Sequence, residues 1–221
     1  MSGYSEAELL SIWESAAGQG PIGRALVLAV AGGADARTVT DLSIGRRDEF
    51  AHALRERWLG GGFDCVVQCP GCAAELELAL TAAELRRDRA ETQPTDVPCR
   101  AITSADLLAV ANSADPRRDL LRRCTIDPAT VTDGEPGAIV AAVAALDTQA
   151  DVTVELDCAV CGHEWSAPFE ISGFLWAELD AHAHRLLSEV HALASAYGWS
   201  EAEVLAVGPA RRRRYLDMAA S

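Results

Sequence analysis

Residues 63–81 read FDCVVQCPGCAAELELALT, and residues 152–171 read VTVELDCAVCGHEWSAPFEI. In each stretch an alternating apolar run leads into Cys-x-x-Cys, and a second alternating run leads out. Phe63, Cys65 and Val67 share one parity before Cys69 and Cys72; Leu76, Leu78 and Leu80 share one parity after them. In the second stretch Val152, Val154 and Leu156 precede Cys158 and Cys161, and Trp165, Ala167, Phe169 and Ile171 follow. Period-two alternation is the signature of a half-buried strand. Each stretch therefore reads as a hairpin whose turn carries two thiols. The two align without a gap, Cys69 on Cys158, Cys72 on Cys161 and Leu80 on Phe169. One hairpin has been duplicated.

Two such turns supply four soft ligands, the number a structural tetrahedral zinc site takes. A short hairpin buries too little apolar surface to stand alone. A metal shared by two hairpins supplies what is missing, because its binding free energy becomes folding free energy. The expectation is one Zn2+ held by Cys69, Cys72, Cys158 and Cys161 in a split zinc ribbon. The spacing departs from the usual ribbon, whose pairs lie about 15–20 residues apart. Here everything from Ala73 to Asp157 intervenes.

Working outward, capping-box patterns open helices at Ser5-x-x-Glu8, Thr81-x-x-Glu84 and Ser200-x-x-Glu203. Helices are expected after Ser5, over Ile22 to Ala31 and over Asp48 to Leu59, with Asp41 to Arg47 a short loop between the last two. Thr81 opens a short helix running into Arg86 to Arg89, followed by a polar loop over 91–98. Val97 to Ile102 reads as a strand. Ser104 caps the next helix, and Asp115-Pro116 opens another. After a loop over 127–134, Gly137 to Leu146 is apolar enough to be a buried helix. The longest helix, Phe174 to Tyr197, carries one stripe: Leu175, Leu179, His182, Leu186, Val190, Leu193 and Tyr197. Pro209 interrupts the last helix ahead of Arg211 to Arg214.

The expected fold class is α+β, mostly helical around a small antiparallel zinc ribbon made of two duplicated hairpins. It forms a single domain over 1–221. N-terminal helices occupy 1–61, the split ribbon 62–81 and 151–171, a helical insert 82–150, and a long helix with a C-terminal short helix 173–221.

Charge narrows the function classes. The chain carries a net charge of −14, and all 19 of its Lys+Arg cations are arginine. Phosphate backbones are bound by clustered cations, so nucleic acid is disfavoured and protein partners are expected. No apolar run reaches membrane-spanning length, and Met1 to Leu10 has no basic signal-peptide start. Seven cysteines in two metal-type pairs, with Cys65, Cys99 and Cys124 left over, fit a reducing cytoplasm. A thiol-redox role would need Cys-x-x-Cys to open a helix in a βαβ unit, whereas each motif here lies between strands. No catalytic constellation or small-molecule site stands out. His163 follows the second knuckle and reads as a thiolate hydrogen-bonder, a spare ligand or a solvated turn residue. Cys65 is near enough to Cys69 to substitute for it. His184 and His191, seven apart, lack a third ligand at a suitable offset.

Several motifs together carry a resemblance: Cys-Pro-Gly-Cys, Cys-Ala-Val-Cys-Gly-His-Glu-Trp, the Phe-Leu-Trp-Ala-Glu-Leu helix start, and Tyr197 to Leu205 with Arg211 to Tyr215. The chain resembles phage-type baseplate or tail-assembly proteins of tailed bacteriophages and of phage-tail-like contractile injection systems. That resemblance implies a non-enzymatic structural or assembly role, in the cytoplasm or in a particle assembled there, with other baseplate or tail proteins as partners. Tyr197, Trp199, Arg211, Arg212, Arg213, Arg214 and Tyr215 are the expected partner-binding residues, since Trp, Tyr and Arg are enriched at interface hot spots. A zinc-ribbon regulator that binds nucleic acid is the alternative.

Overall fold

A computed structural model describes residues 3–86, 98–126 and 137–220. Its order is α1 (Glu6–Ala17), α2 (Pro21–Ala31), α3 (Ile44–Leu59), β1 (Gly62–Gln68), β2 (Glu75–Thr81), α4 (Ala82–Leu85), α5 (Ser104–Val110), α6 (Pro116–Cys124), α7 (Gly137–Leu146), β3 (Val152–Asp157), β4 (Glu164–Phe169), α8 (Ile171–Tyr197), α9 (Glu201–Ala206) and α10 (Pro209–Ala219). The protein is a mostly helical α+β structure with two small antiparallel sheets of two strands each. β1 pairs with β2, and β3 with β4. The hairpins share no strand pairing, so the ribbon is two sheets rather than one.

The core forms where the bases of the hairpins meet the helices. Phe63 is fully buried there, among Leu9 of α1, Leu28 of α2, Leu54 of α3, Leu85 of α4, and Leu175 and Leu179 of α8. The rings of Phe63, Phe169 and Phe174 lie 5.5–5.6 Å apart, tying both hairpins to the start of α8. Arg55 of α3 lies across this cluster. Its guanidinium is 3.8 Å from the Phe63 ring centroid and forms a bidentate pair with Glu178 at 2.8 and 2.9 Å.

All three expected capping boxes form. Several boundaries move. α3 begins at Ile44, inside the stretch expected to be a loop, because Ser43 accepts the Arg46 N–H and Asp147 accepts the Gly45 N–H at 2.8 Å. The second of these bonds ties the insert to the N-terminal helices. Thr103, not Ser104, caps α5, and Asp106 closes that box. The strand expected up to Ile102 reduces to a lone bridge, Cys99 to Thr125, while Ile102 accepts the Ile44 N–H; Val97 lies outside the described residues. Ile171 belongs to α8 rather than to the hairpin, since Glu170 caps the helix at Gly173.

Pro209 is the first residue of a separate helix, α10, where a missing N–H costs nothing. α7 is not buried all round. Ile139, Ala142 and Val143 face inward, while Ala138, Ala141, Ala144 and Ala145 are exposed. Small alanines tolerate solvent, so one apolar stripe is enough to dock it. The expected helix end at 87–89 and the loop over 127–134 lie outside the described residues, as does most of the 91–98 loop.

Candidate metal centre

The knuckles repeat each other at the level of the backbone. In the first, Cys69 donates its N–H to Ala74 O and Ala73 donates to Cys69 O; in the second, Cys158 donates to His163 O and Gly162 to Cys158 O, all at 2.8–2.9 Å. The residue after the second cysteine is left-handed in both, with φ of 58° at Ala73 and 70° at Gly162. Glycine meets that requirement without strain. Ala73 is the sole non-glycine residue with positive φ among those described, and it sits where the duplicated turn demands one.

The two turns meet face to face. A Cβ on Gly71 would lie 3.2 Å from the His163 side chain and 3.6 Å from Cys161 Sγ, so the first knuckle approaches the second through a residue without a side chain. The four sulfurs of Cys69, Cys72, Cys158 and Cys161 all lie within 4.8 Å of one another. Across the hairpins, Cys69 Sγ is 3.7 Å from Cys161 Sγ, and Cys72 Sγ is 3.7 Å from Cys158 Sγ. A disulfide would need about 2.05 Å. A tetrahedral ion with bonds of about 2.3 Å to sulfur sets its ligands about 3.8 Å apart, which these pairs match.

The backbone is already aimed at the sulfurs. Gly71 donates its N–H to Cys69 Sγ at 3.3 Å. The Cys161 N–H, opposed by desolvation and supported by the Val160 N–H, brings the Cys158 thiol down to about 7. Cys161 goes the other way. The His163 N–H favours its thiolate, but the Cys72 thiol, desolvation, and the Cys69 and Cys158 thiols outweigh that donor and push Cys161 up to about 12. Cys72 is raised too, against the pull of the Ala74 N–H. Cys158 is thus the readier thiolate, while the crowded Cys72 and Cys161 hold their protons. A bound cation inverts that order, because a coordinating thiol is deprotonated outright. The donor set and spacing fit a metal ion, and four soft sulfurs suit zinc or an iron–sulfur centre. Cys69 and Cys158 are buried, Cys72 and Cys161 exposed.

The remaining candidates stay outside this cluster, which is the sole grouping of three or more metal-ligating side chains among the described residues. Cys65 points along its own hairpin, 3.8 Å from Leu78 O. His163 contributes its backbone to Cys161, while its ring stacks on Trp165 at 6.0 Å. His184 sits against Trp13 and Asp180. Cys124 is a buried residue of the insert's own core, and Cys99 packs beside it.

At the C-terminus, Tyr197, Trp199 and Tyr215 form one aromatic cluster with centroids 5.0–5.8 Å apart, and Tyr197 Oη donates to Tyr215 O. Arg211, Arg213 and Arg214 are exposed, but Arg212 is not. It is 3% exposed and binds Glu189 at 2.5 Å and Glu6 at 3.2 Å. Arg212 therefore leaves the expected partner-binding set and becomes a lock between α10, α8 and α1. The basic run gave no sign of this, because the helical phase that turns one arginine of four inward depends on where α10 docks. Compared with protein-family models, curated proteins and solved structures, the chain matches none.

Proposed function

We propose that the four cysteines hold one zinc ion and that the protein is a zinc-stapled, non-enzymatic structural or assembly component. The observation that carries this reading is the convergence of four thiols from two distant segments at the tips of matching hairpins. Four protein sulfurs fill a tetrahedral ion, leaving no open position for a water or substrate; a catalytic zinc keeps one. Zinc, without redox chemistry of its own, suits such a staple. Protein purified without added metal should contain about one zinc per chain. Iron–sulfur absorbance, or a metal-free native protein with four titratable thiols, would overturn the assignment.

Within that reading, the resemblance of the knuckles, the α8 start and the C-terminal segment supports a place in the baseplate of a contractile phage-tail-like particle. Its partners are then other baseplate or tail proteins. Deleting the gene from a strain that makes such particles should abolish or deform the baseplate in electron micrographs. Normal particles would sink this part of the proposal. The ribbon's electrostatics oppose the nucleic-acid alternative: Asp64, Glu75, Glu77, Glu155, Asp157 and Glu164 are exposed on the hairpins, and neither hairpin contains an arginine. Salt-sensitive submicromolar binding to DNA or RNA would reverse that order of preference.

A further inference from the structure

We infer that the protein associates with further copies of itself head to tail, the arginine face of α10 in one copy docking on the acidic outer faces of the ribbon in the next. Both surfaces are present on one chain, and neither has a partner among the described residues. On the hairpins the inward parity is apolar and the outward parity carries Asp64, Glu75, Glu77, Glu155, Asp157 and Glu164, all exposed. Asp157 and Glu164 are directly opposite in the β3–β4 register, a like-charge pairing that costs the isolated hairpin stability. Among the described residues none of these six carboxylates is ion-paired. A facing cation would relieve that repulsion.

The cations are at the other end of the molecule. Successive helical residues turn by about 100°, so with Arg212 directed inward at Glu6 and Glu189, Arg211, Arg213 and Arg214 fan across the outward half of α10. Among the described residues none of the three has an ion-pair partner. The Tyr197–Trp199–Tyr215 cluster lies beside them, with Tyr197 39% exposed.

The fold keeps the two surfaces apart within one molecule. The ribbon's base is fixed to the first turn of α8 through Phe174, and α10 is fixed near its end through Glu189 and Tyr197. α8 has 27 residues and is about 40 Å long. The two anchor points, Phe174 and Glu189, are 15 residues apart along it, about 22 Å, so the acidic and basic faces neutralise each other between molecules rather than within one. Such a contact is heterologous: it closes into a ring if the rotation allows and otherwise propagates as a filament. The net charge of −14 opposes association, but exposed charges more than about 8 Å apart are largely screened at physiological salt. The facing patches therefore decide the contact. This inference does not depend on which metal the cysteines hold.

Sedimentation velocity over a wide concentration range, in low and high salt, tests it. The wild type should associate as concentration rises and dissociate in high salt. The triple reversal R211E/R213E/R214E should weaken association at least about tenfold, as should E75R/E77R/E155R on the ribbon. Mixing the two variants should restore association, since each then presents the charge the other lacks. Circular dichroism and metal content confirm that each variant is folded. If the ribbon reversal does not fold, the α10 variant and the salt response of the wild type still decide. A wild type that stays monomeric throughout, an α10 reversal that associates like the wild type, or folded variants that fail to complement would each overturn the inference.

Discussion

Cys69 Sγ stands 3.7 Å from Cys161 Sγ, across 92 residues of chain. The relationship joins two sheets that share no strand pairing. Beyond the apolar base that the hairpins share with the helices, the knuckles are where they meet. Losing a ligand should therefore cost more than losing an ordinary buried cysteine. Structural zinc is worth on the order of 10 kcal/mol in small zinc peptides, which reaches or exceeds the stability of many whole domains. Cys69→Ser is expected to be insoluble or to carry a molten ribbon with no stoichiometric metal. Cys124→Ser, in the insert core, should cost about 1–2 kcal/mol and keep the metal. Thermal melts and metal content check both; equal melting would mean that the ligands are misassigned.

The first knuckle should improve when its strain is removed. Ala73 holds φ at 58° where the second knuckle has Gly162. A left-handed non-glycine residue costs roughly 1–2 kcal/mol, and glycine's greater freedom when unfolded returns about half of that. Ala73→Gly is expected to raise stability by about 0.5–1 kcal/mol, read from the denaturation midpoint with metal bound. A loss of stability would show that the αL conformation is not the one adopted in solution.

His52 should make the fold acid-sensitive. It is 1% exposed, its Nδ1 has no hydrogen-bond partner, and its ring contacts Phe63 and Phe169. Burial, with a smaller contribution from Arg86, lowers its pKa from 6.5 to about 4. Between these values the unfolded chain binds a proton that the folded chain refuses. The contribution is therefore fully present above pH 6.5 and is lost as pH falls toward 4, on the order of 3 kcal/mol in all. His52→Phe keeps an aromatic ring and removes the titration. Denaturant melts from pH 7 to 4.5 should show a shallower pH slope for the variant than for the wild type. Identical slopes would place the acid sensitivity elsewhere.

Arg55 should not tolerate truncation. It is 3% exposed, packs on Phe63, and is paired in two-point fashion with Glu178. Removing one partner of a buried ion pair strands the other, a loss of about 3–5 kcal/mol; Glu178 is partly solvated, so the lower end applies. Arg55→Lys should recover little, because an ammonium cannot make the planar bidentate contact. A melting difference below about 1 kcal/mol for Arg55→Ala would contradict this account.

Neighbouring arginines on α10 should behave oppositely. Arg212→Ala removes the lock to Glu6 and Glu189 and should cost about 2–3 kcal/mol, with faster amide exchange in α10. Arg213→Ala, on an exposed side chain, should stay within about 0.5 kcal/mol of the wild type. Matching losses would mean that α10 is rotated from the phase described.

Local patterns were legible wherever the physics is local. The parity of Phe63, Cys65 and Val67 gave the face of a strand; three Ser/Thr-x-x-Glu patterns gave helix starts; the gapless repeat of Cys-x-x-Cys gave the four thiols that cluster and their grouping as knuckles. Parity and capping depend on residues within a few positions of one another, and backbone sterics and capping hydrogen bonds act at that range; the repeat is read by matching one local pattern to another. The boundaries that moved depend on distant partners. α3 starts at Ile44 because Asp147 reaches the Gly45 N–H from 102 residues away, and no window around Ser43 contains that carboxylate. Arg212 lies in a run of four identical side chains, and sequence cannot distinguish it from Arg211, Arg213 or Arg214. Its burial follows from the rotation at which α10 meets Glu189 and Glu6, and that rotation is set by the packing of three helices. The convergence of the sulfurs lies between these cases. The duplication implied it, but only the shared aromatic base of the two hairpins on α8 brings cysteine pairs 86 and 92 residues apart in sequence within reach of one ion.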